Sequence, residues 1–338
     1  MSSFGKSCFD RRALQFAAAI LGLGVFAGAS AAASATITTF DVTGATSTFP
    51  VAINDAGMIA GYYLAQKYHG FIRAPDGTIT TFGPKGSIST LAGVINRHGT
   101  VAGWYSAKHN TGQSFVRAAN GKITTFGVSG SIETSADAIN GQDTISGSYL
   151  DQSRVQHGFL RTADGTIATF DPSGSIGTDP TSINSQGAIT GWYADANHVS
   201  HGFIRAADGT ITTFDPSGSI DTTALAINDK GAIAGYYYDS QNRQHGFVHA
   251  PDGTITTFDV SGSFGTGAMA IDDKGTITGN YQYSKNGWGG FVRSAAGKVK
   301  VFDAPLARRT LPSGINNNRV IAGSYRSNDR YHGFIRTP

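Results

Sequence analysis

From Thr36 to the end of the chain, short apolar runs alternate with turn-forming residues. In the cleanest copy, Ala226–Asp259, the run Ala-Ile meets Asn-Asp-Lys-Gly, then Ala-Ile-Ala-Gly-Tyr, a polar stretch, His-Gly-Phe-Val, Asp-Gly, and Thr-Ile-Thr-Thr-Phe. Apolar runs of this length bounded by Asn, Asp and Gly predict short strands joined by tight hairpins. Each copy therefore predicts four strands, with N-D-x-G between the first two and Asp-Gly between the last two. The copy recurs seven times. Its turn residue is Asn54, Asn96, Asn140, Asn184, Asn228, Asp272 and Asn316. One phenylalanine series runs Phe71, Phe115, Phe159, Phe203, Phe247, Phe291, Phe334, and a second runs from Phe40 to Phe302. The step is 44 residues almost throughout, with a few of 42 or 43.

A fixed period of this size, with four antiparallel strands in each, predicts an all-β, seven-bladed β-propeller. The last copy stops at His332-Gly-Phe-Ile-Arg-Thr-Pro338 and lacks a fourth strand, whereas Thr36–Asp41 is a fourth strand without a blade. Pairing them would close the disc and remove two open edges. Strand order then sets two faces. Both hairpin turns share one face; the loops between strands two and three, and those between blades, share the other. The tight turns barely vary, whereas the two-to-three loops differ strongly, so binding is expected on the loop face. A two-residue loop at Asp-Gly would set Phe71 opposite Phe82, Phe115 opposite Phe126 and Phe291 opposite Phe302.

The repeat I-N-D-x-G-x-I-x-G-x-Y followed by H-G-F resembles the HAF family of extracellular repeats, named for His-Ala-Phe where this chain has His-Gly-Phe. The likeness covers residues 36–338 and implies an exported repeat protein, with no activity or catalytic residues to carry over. The N-D-x-G hairpin is also similar to the Asp-box of sialidase-type propellers, which is a structural turn.

Residues 1–35 break the pattern. Lys6, Arg11 and Arg12 precede an apolar stretch, Ala13–Phe26, and Ala33-Ser-Ala35 forms an A-x-A site. This layout predicts a signal peptide, a one-domain mature chain of residues 36–338, and a periplasmic or extracellular location. The apolar run is too short for a membrane span. The one cysteine, Cys8, lies in this leader, so the mature chain has neither disulfides nor thiolate chemistry. Removal of Lys6, Arg11, Arg12 and Asp10 leaves 23 basic and 22 acidic residues. With no basic run, nucleic acid is excluded as a partner, as is the membrane after cleavage.

The recurring histidines His69, His157, His201, His245 and His332 stand before Gly-Phe, with Ser114 and Gly290 read in their place in two copies. Equivalent positions lie about 10 Å or more apart across packed sheets, too far to share a metal. They are expected to bond loop backbone. The recurring arginines, such as Arg73 and Arg205, are expected to be solvated or Asp-paired, and the Gly-x-Tyr tyrosines to pack between blades. His198 with His201, and His98 with His109, have no fixed ligand geometry. No hydrolase, zinc or phosphate-loop motif is present, and Glu133 is the only glutamate, whereas glycoside hydrolysis uses two placed carboxylates. No cofactor, metal or catalytic residue is expected.

The middle residue of Gly-x-Tyr is the least structural in character: Tyr62, Trp104, Ser148, Trp192, Tyr236, Asn280, Ser324. Tyr62, Trp104, Trp192 and Tyr236, with Trp288 from a loop, are the candidate ligand contacts, an aromatic platform for a sugar ring or apolar ligand. The competing reading makes them blade packing. The expected function is a monomeric, non-catalytic binding module for a glycan, small molecule or protein; the alternative is a polysaccharide-acting hydrolase or lyase with its site at the channel mouth.

Overall fold

The computed structural model describes residues 35–107 and 112–338; all but the last residue of the predicted leader, and His109, lie outside them. The described chain forms 28 strands. They pair four at a time in antiparallel order, as in Ser47–Ile53, Ile59–Leu64, Tyr68–Arg73 and Ile79–Phe82. The last copy supplies Arg309–Ile315, Ile321–Ser327 and Arg330–Thr337, and its fourth member is Thr36–Phe40, in register from Thr36↔Thr337 to Phe40↔Gly333. Among the described residues no helix is long and apolar enough to cross a membrane.

Both hairpins have the same turn, which differs from the two-residue loop expected from Asp-Gly. Gly77 N–H donates to Ala74 C=O, Ala74 N–H donates to Thr78 C=O, and Gly77 has φ +95°. A three-residue loop ending in a left-handed glycine shifts the register by one. Gly70 therefore pairs with Phe82, and Phe71 with Thr81. The physical reason is visible at Gly70: a Cβ there would lie 2.9 Å from the Phe82 ring. The ring takes the space the glycine leaves. The two phenylalanines do not face each other. Each Phe71-type ring is fully buried and meets the Phe40-type ring of the preceding copy edge-on, with centroids 5.8–6.2 Å apart. The recurring phenylalanines thus join copies rather than strands within one copy.

Each first strand ends in an isoleucine that packs in a small core with these rings, joined in several copies by an alanine of the same strand, as with Ala136 and Ile139 or Ala224 and Ile227. It also carries a buried threonine, Thr48, Thr134, Thr266 or Thr310, whose hydroxyl accepts the N–H of the residue six positions earlier. That bond fixes the inter-copy connection where it enters the strand, and it gives the recurring S-I-x-T a structural reason. Every first strand has a bulge, for example between Pro50 and Ala52 and between Ala136 and Ala138. A bulge re-aims its extra side chain. Thr181 and Ser313, at bulges, reach the carbonyls of Ala224 and Pro50 on the next first strand.

Candidate functional site

On the face of tight turns the turn asparagines form a ladder. Asn184 Oδ1 accepts N–H bonds from Gln186 (3.1 Å) and Ala188 (2.9 Å), which closes its own turn. Its Nδ2 donates to the carbonyl of Asn228 in the next copy at 3.2 Å. The same cross-copy bond runs from Asn54, Asn96, Asn140 and Asn228, and from Asn316 back to Asn54. A second tier uses the following residue: the carboxylates of Asp229 and Asp273, the Asn317 amide and the Asp55 carboxylate each accept the preceding copy's turn N–H. A cavity of about 160 Å³ opens among these turns, between Asp55, Asp229, Asp272, Asp273, Asn316 and Asn317. The turns of this face are therefore committed to holding copies together.

The loop-face rim is also built by repeated contacts, though not those expected. His157, His201, His245 and His332 point Nδ1 at Asp171, Asp215, Asp259 and Asp41, at 2.6–2.9 Å. In three copies Nε2 faces a second aspartate, closest at His245–Asp239, 3.2 Å. The partners are carboxylates, not loop backbone, because an aspartate follows the last strand and another starts the two-to-three loop. Each ring lies against the tyrosine of Gly-x-Tyr, as in Tyr237–His245 at 5.1 Å; the tyrosines also pack between copies, as expected, Tyr193 sharing a core with Ala138 and Phe170 and Tyr237 with Ala188 and Phe214. Strand pairing puts Gln113 and Gly289 at the histidine position, opposite Tyr105 and Tyr281; Ser114 and Gly290 belong one place later.

Among the described residues the recurring arginines make no ion pair with an aspartate, and all but the buried Arg293 keep partial exposure. Arg73, Arg117, Arg161, Arg205, Arg293 and Arg336 lay their guanidinium over the Phe40-type ring of the preceding copy, 4.7–5.1 Å from its centre. His249 replaces arginine in one copy and sits 4.4 Å from Phe214. Burial pulls Arg117, Arg293 and Arg336 below the usual guanidinium range. Among the described residues no group of three His, Asp or Glu side chains could hold a metal. His201 is engaged by Asp215, and His98 Nε2 accepts from Arg97.

The predicted platform residues sit at one equivalent position in four copies. Tyr62 stacks on Phe49 of the adjacent first strand at 5.1 Å and meets Tyr68 edge-on. Tyr236 is buried, edge-on to Tyr238, whose hydroxyl is pushed up to about 12 by burial and by Tyr236. Trp104 pairs with Leu91 and Trp192 with Asp179, both half-buried. Trp288 opens a third strand, opposite Gln282 and beside Arg309. These side chains are thus distributed around the copies, each against its own first strand or junction.

Two features of the loop face were not singled out in the sequence. The connection between copies exposes an apolar residue at Ile88, Ile176, Ile220 and Phe264, with Ile132 half-buried at the same position. Phe264 is 64% exposed. The backbone N–H at four of these positions is tied to the end of its own copy's second strand, as in Ile88 to Ser106. These five residues recur every 44 positions, which was the available signal. The second feature is Glu133. Burial raises its carboxyl above the usual range, the Trp104 N–H opposes that, and Asp137 adds to it. Asp137 is the bulge residue of the same strand and accepts the Ser135 hydroxyl at 3.0 Å.

No family model matches the chain, and no curated protein does. Among solved structures it is similar to virginiamycin B lyase from Staphylococcus aureus, with 13% identity, TM-score 0.62, and coverage of 90% of this chain and 100% of that one. It is similar to the β-propeller domain of the Trilobed protease from Pyrococcus furiosus, at 9% identity, TM-score 0.61, and 86% and 95% coverage. A third likeness, to TolB from Acinetobacter baumannii, has 12% identity, TM-score 0.52, and 72% and 62% coverage. The fold is a β-propeller.

Proposed function

We propose that residues 36–338 form a closed, seven-bladed propeller, exported as the HAF-like repeat and the leader suggest, that acts as a non-catalytic binding module through its loop face. Closure is supported by the pairing of Thr36–Phe40 with Arg330–Thr337 and by the bonds from Asn316 and Ser313 to the first copy. The observation that carries the function is the row of apolar residues Ile88, Ile176, Ile220 and Phe264 exposed at equivalent positions on one face. An exposed apolar array has a solvation cost and marks an interaction surface. The repeat itself does not require it, since Thr46 and Arg308 stand at the same position in the remaining connections, with the same backbone bond. The ligand is a glycan, small molecule or protein presenting an apolar face, with Tyr62, Trp104, Trp192, Tyr236 and Trp288 as the proposed aromatic contacts. A glycan and small-molecule panel tests this. A hit should weaken in Phe264→Ser, Ile220→Ser and Trp104→Ala while melting stays close to that of the parent chain. A hit indifferent to all three would refute the loop-face assignment.

A second reading is a polysaccharide-acting lyase or hydrolase, favoured by Glu133 and Asp137. Two carboxylates in unlike settings, one raised by burial and one held by hydroxyls, suit an acid–base pair. The Staphylococcus aureus neighbour is a lyase, and the likeness supports only that the fold admits such a site. Turnover of a panel hit, abolished by Glu133→Gln, would replace the binding reading with this one.

A further inference from the structure

The asparagine ladder has one defective rung. Six copies place a side-chain amide at the turn, and its nitrogen donates across to the next copy. The sixth copy has Asp272 instead. Its Oδ1 does the work of the other turns, accepting Lys274 N–H at 2.9 Å and Thr276 N–H at 2.6 Å. In the asparagine copies the second side-chain atom is an amide nitrogen that donates to the next copy's turn carbonyl. By equivalence that carbonyl is Asn316's for the sixth copy, and an ionised Oδ2 has no proton to give it. Asp272 is only 3% exposed, and Oδ2 is buried without a hydrogen-bond donor. Leaving a buried carboxylate oxygen uncompensated is costly, more so than for a neutral group.

The surroundings supply further oxygen. Asp272 and Asn316 line the cavity among the turns together with Asp55, Asp229, Asp273 and Asn317. The nearby cation, Lys274, spends its ammonium on the Asn317 carbonyl at 2.8 Å. We propose that this position binds a hard, oxygen-seeking cation, with Asp272 Oδ2 and the Asn316 carbonyl as its protein ligands and water completing the shell. Such a ligand set of carboxylate, carbonyl and water is what calcium and the alkali cations take. No three acidic side chains converge here, so the ion is held by one carboxylate and carbonyl oxygen rather than by a dedicated acidic cage. In this arrangement the cation replaces the amide bond that the other rungs make, and it staples the sixth copy to the seventh.

The test is thermal unfolding of residues 36–338 in CaCl2, NaCl and KCl against choline chloride at matched ionic strength, with equilibrium dialysis of labelled calcium and sodium. One of these ions should raise the melting temperature and bind at about one per chain. At ten times its dissociation constant it shifts the folding equilibrium roughly elevenfold. Asp272→Asn restores the amide, so it should fold without the ion and lose both the rise and the bound ion. If no salt exceeds choline chloride, or if Asp272→Asn keeps the rise, the proposal is wrong. Dialysis on the unaltered chain decides the matter even if the variant folds poorly.

Discussion

Replacing Asn184 by alanine isolates the force that joins neighbouring copies on the turn face. Asn184 is 5% exposed, so water does not replace what is removed. The substitution deletes two accepted bonds, from Gln186 and Ala188, and one donated bond, to Asn228. At about 1 kcal/mol net for each, the loss is about 3 kcal/mol, with orphaned backbone groups as a reason for more. For a chain of this size that corresponds to a fall of roughly 5 °C in melting temperature. Asn184→Asp separates the two roles: it keeps both accepted bonds and turns the donor into an acceptor, so about 2 kcal/mol should still be lost. Urea and thermal unfolding of the three proteins measure this. An alanine variant within about 0.5 kcal/mol of the parent would show that the ladder does not hold the copies together.

Arg205→Ala removes the guanidinium over Phe170 and should cost roughly 1–2 kcal/mol, the worth of a desolvated cation–π contact, read by chemical denaturation. Arg319, at φ +60° where most copies place glycine, should tolerate Arg319→Gly with a gain of about 1 kcal/mol in the same assay, because left-handed backbone penalises side chains. The Glu133 carboxyl is raised in the folded chain, so the folded chain binds more protons than the unfolded one between the usual glutamate value of 4.5 and the raised value. Stability contributed at low pH is therefore lost as pH rises through that window. Glu133→Gln should match the parent well below pH 4.5 and exceed it at neutral pH, by pH-dependent urea melts; equal slopes would refute the burial argument.

The architecture was legible because each strand is short, bounded by turn residues and repeated. Periodicity located the strands and their order, and the orphan strand at Thr36 indicated its partner. The errors concern choices that periodicity leaves open. Asp-Gly serves a two-residue or a three-residue turn, and the choice was made by Gly70, which accommodates the Phe82 ring only in the shifted register. The arginines read as surface positions because alternation cannot reveal that the neighbouring copy brings Phe170 over Arg205. The histidines had their aspartates in view, fourteen residues downstream as in His201 and Asp215, but only pairing of the third and fourth strands brings them together. The apolar row from Ile88 to Phe264 was visible as a repeat but was not singled out, since sequence gives periodicity but not exposure.

The loop-face assignment is tested most directly by hydrogen–deuterium exchange on residues 36–338 with and without a glycan retrieved from the panel. Binding there should slow exchange at Ile88, Ile132, Ile176, Ile220 and Phe264 and in the adjoining two-to-three loops, leaving the turns at Asn54, Asn184 and Asn228 unchanged. Protection confined to those turns, with none at the apolar row, would contradict the account.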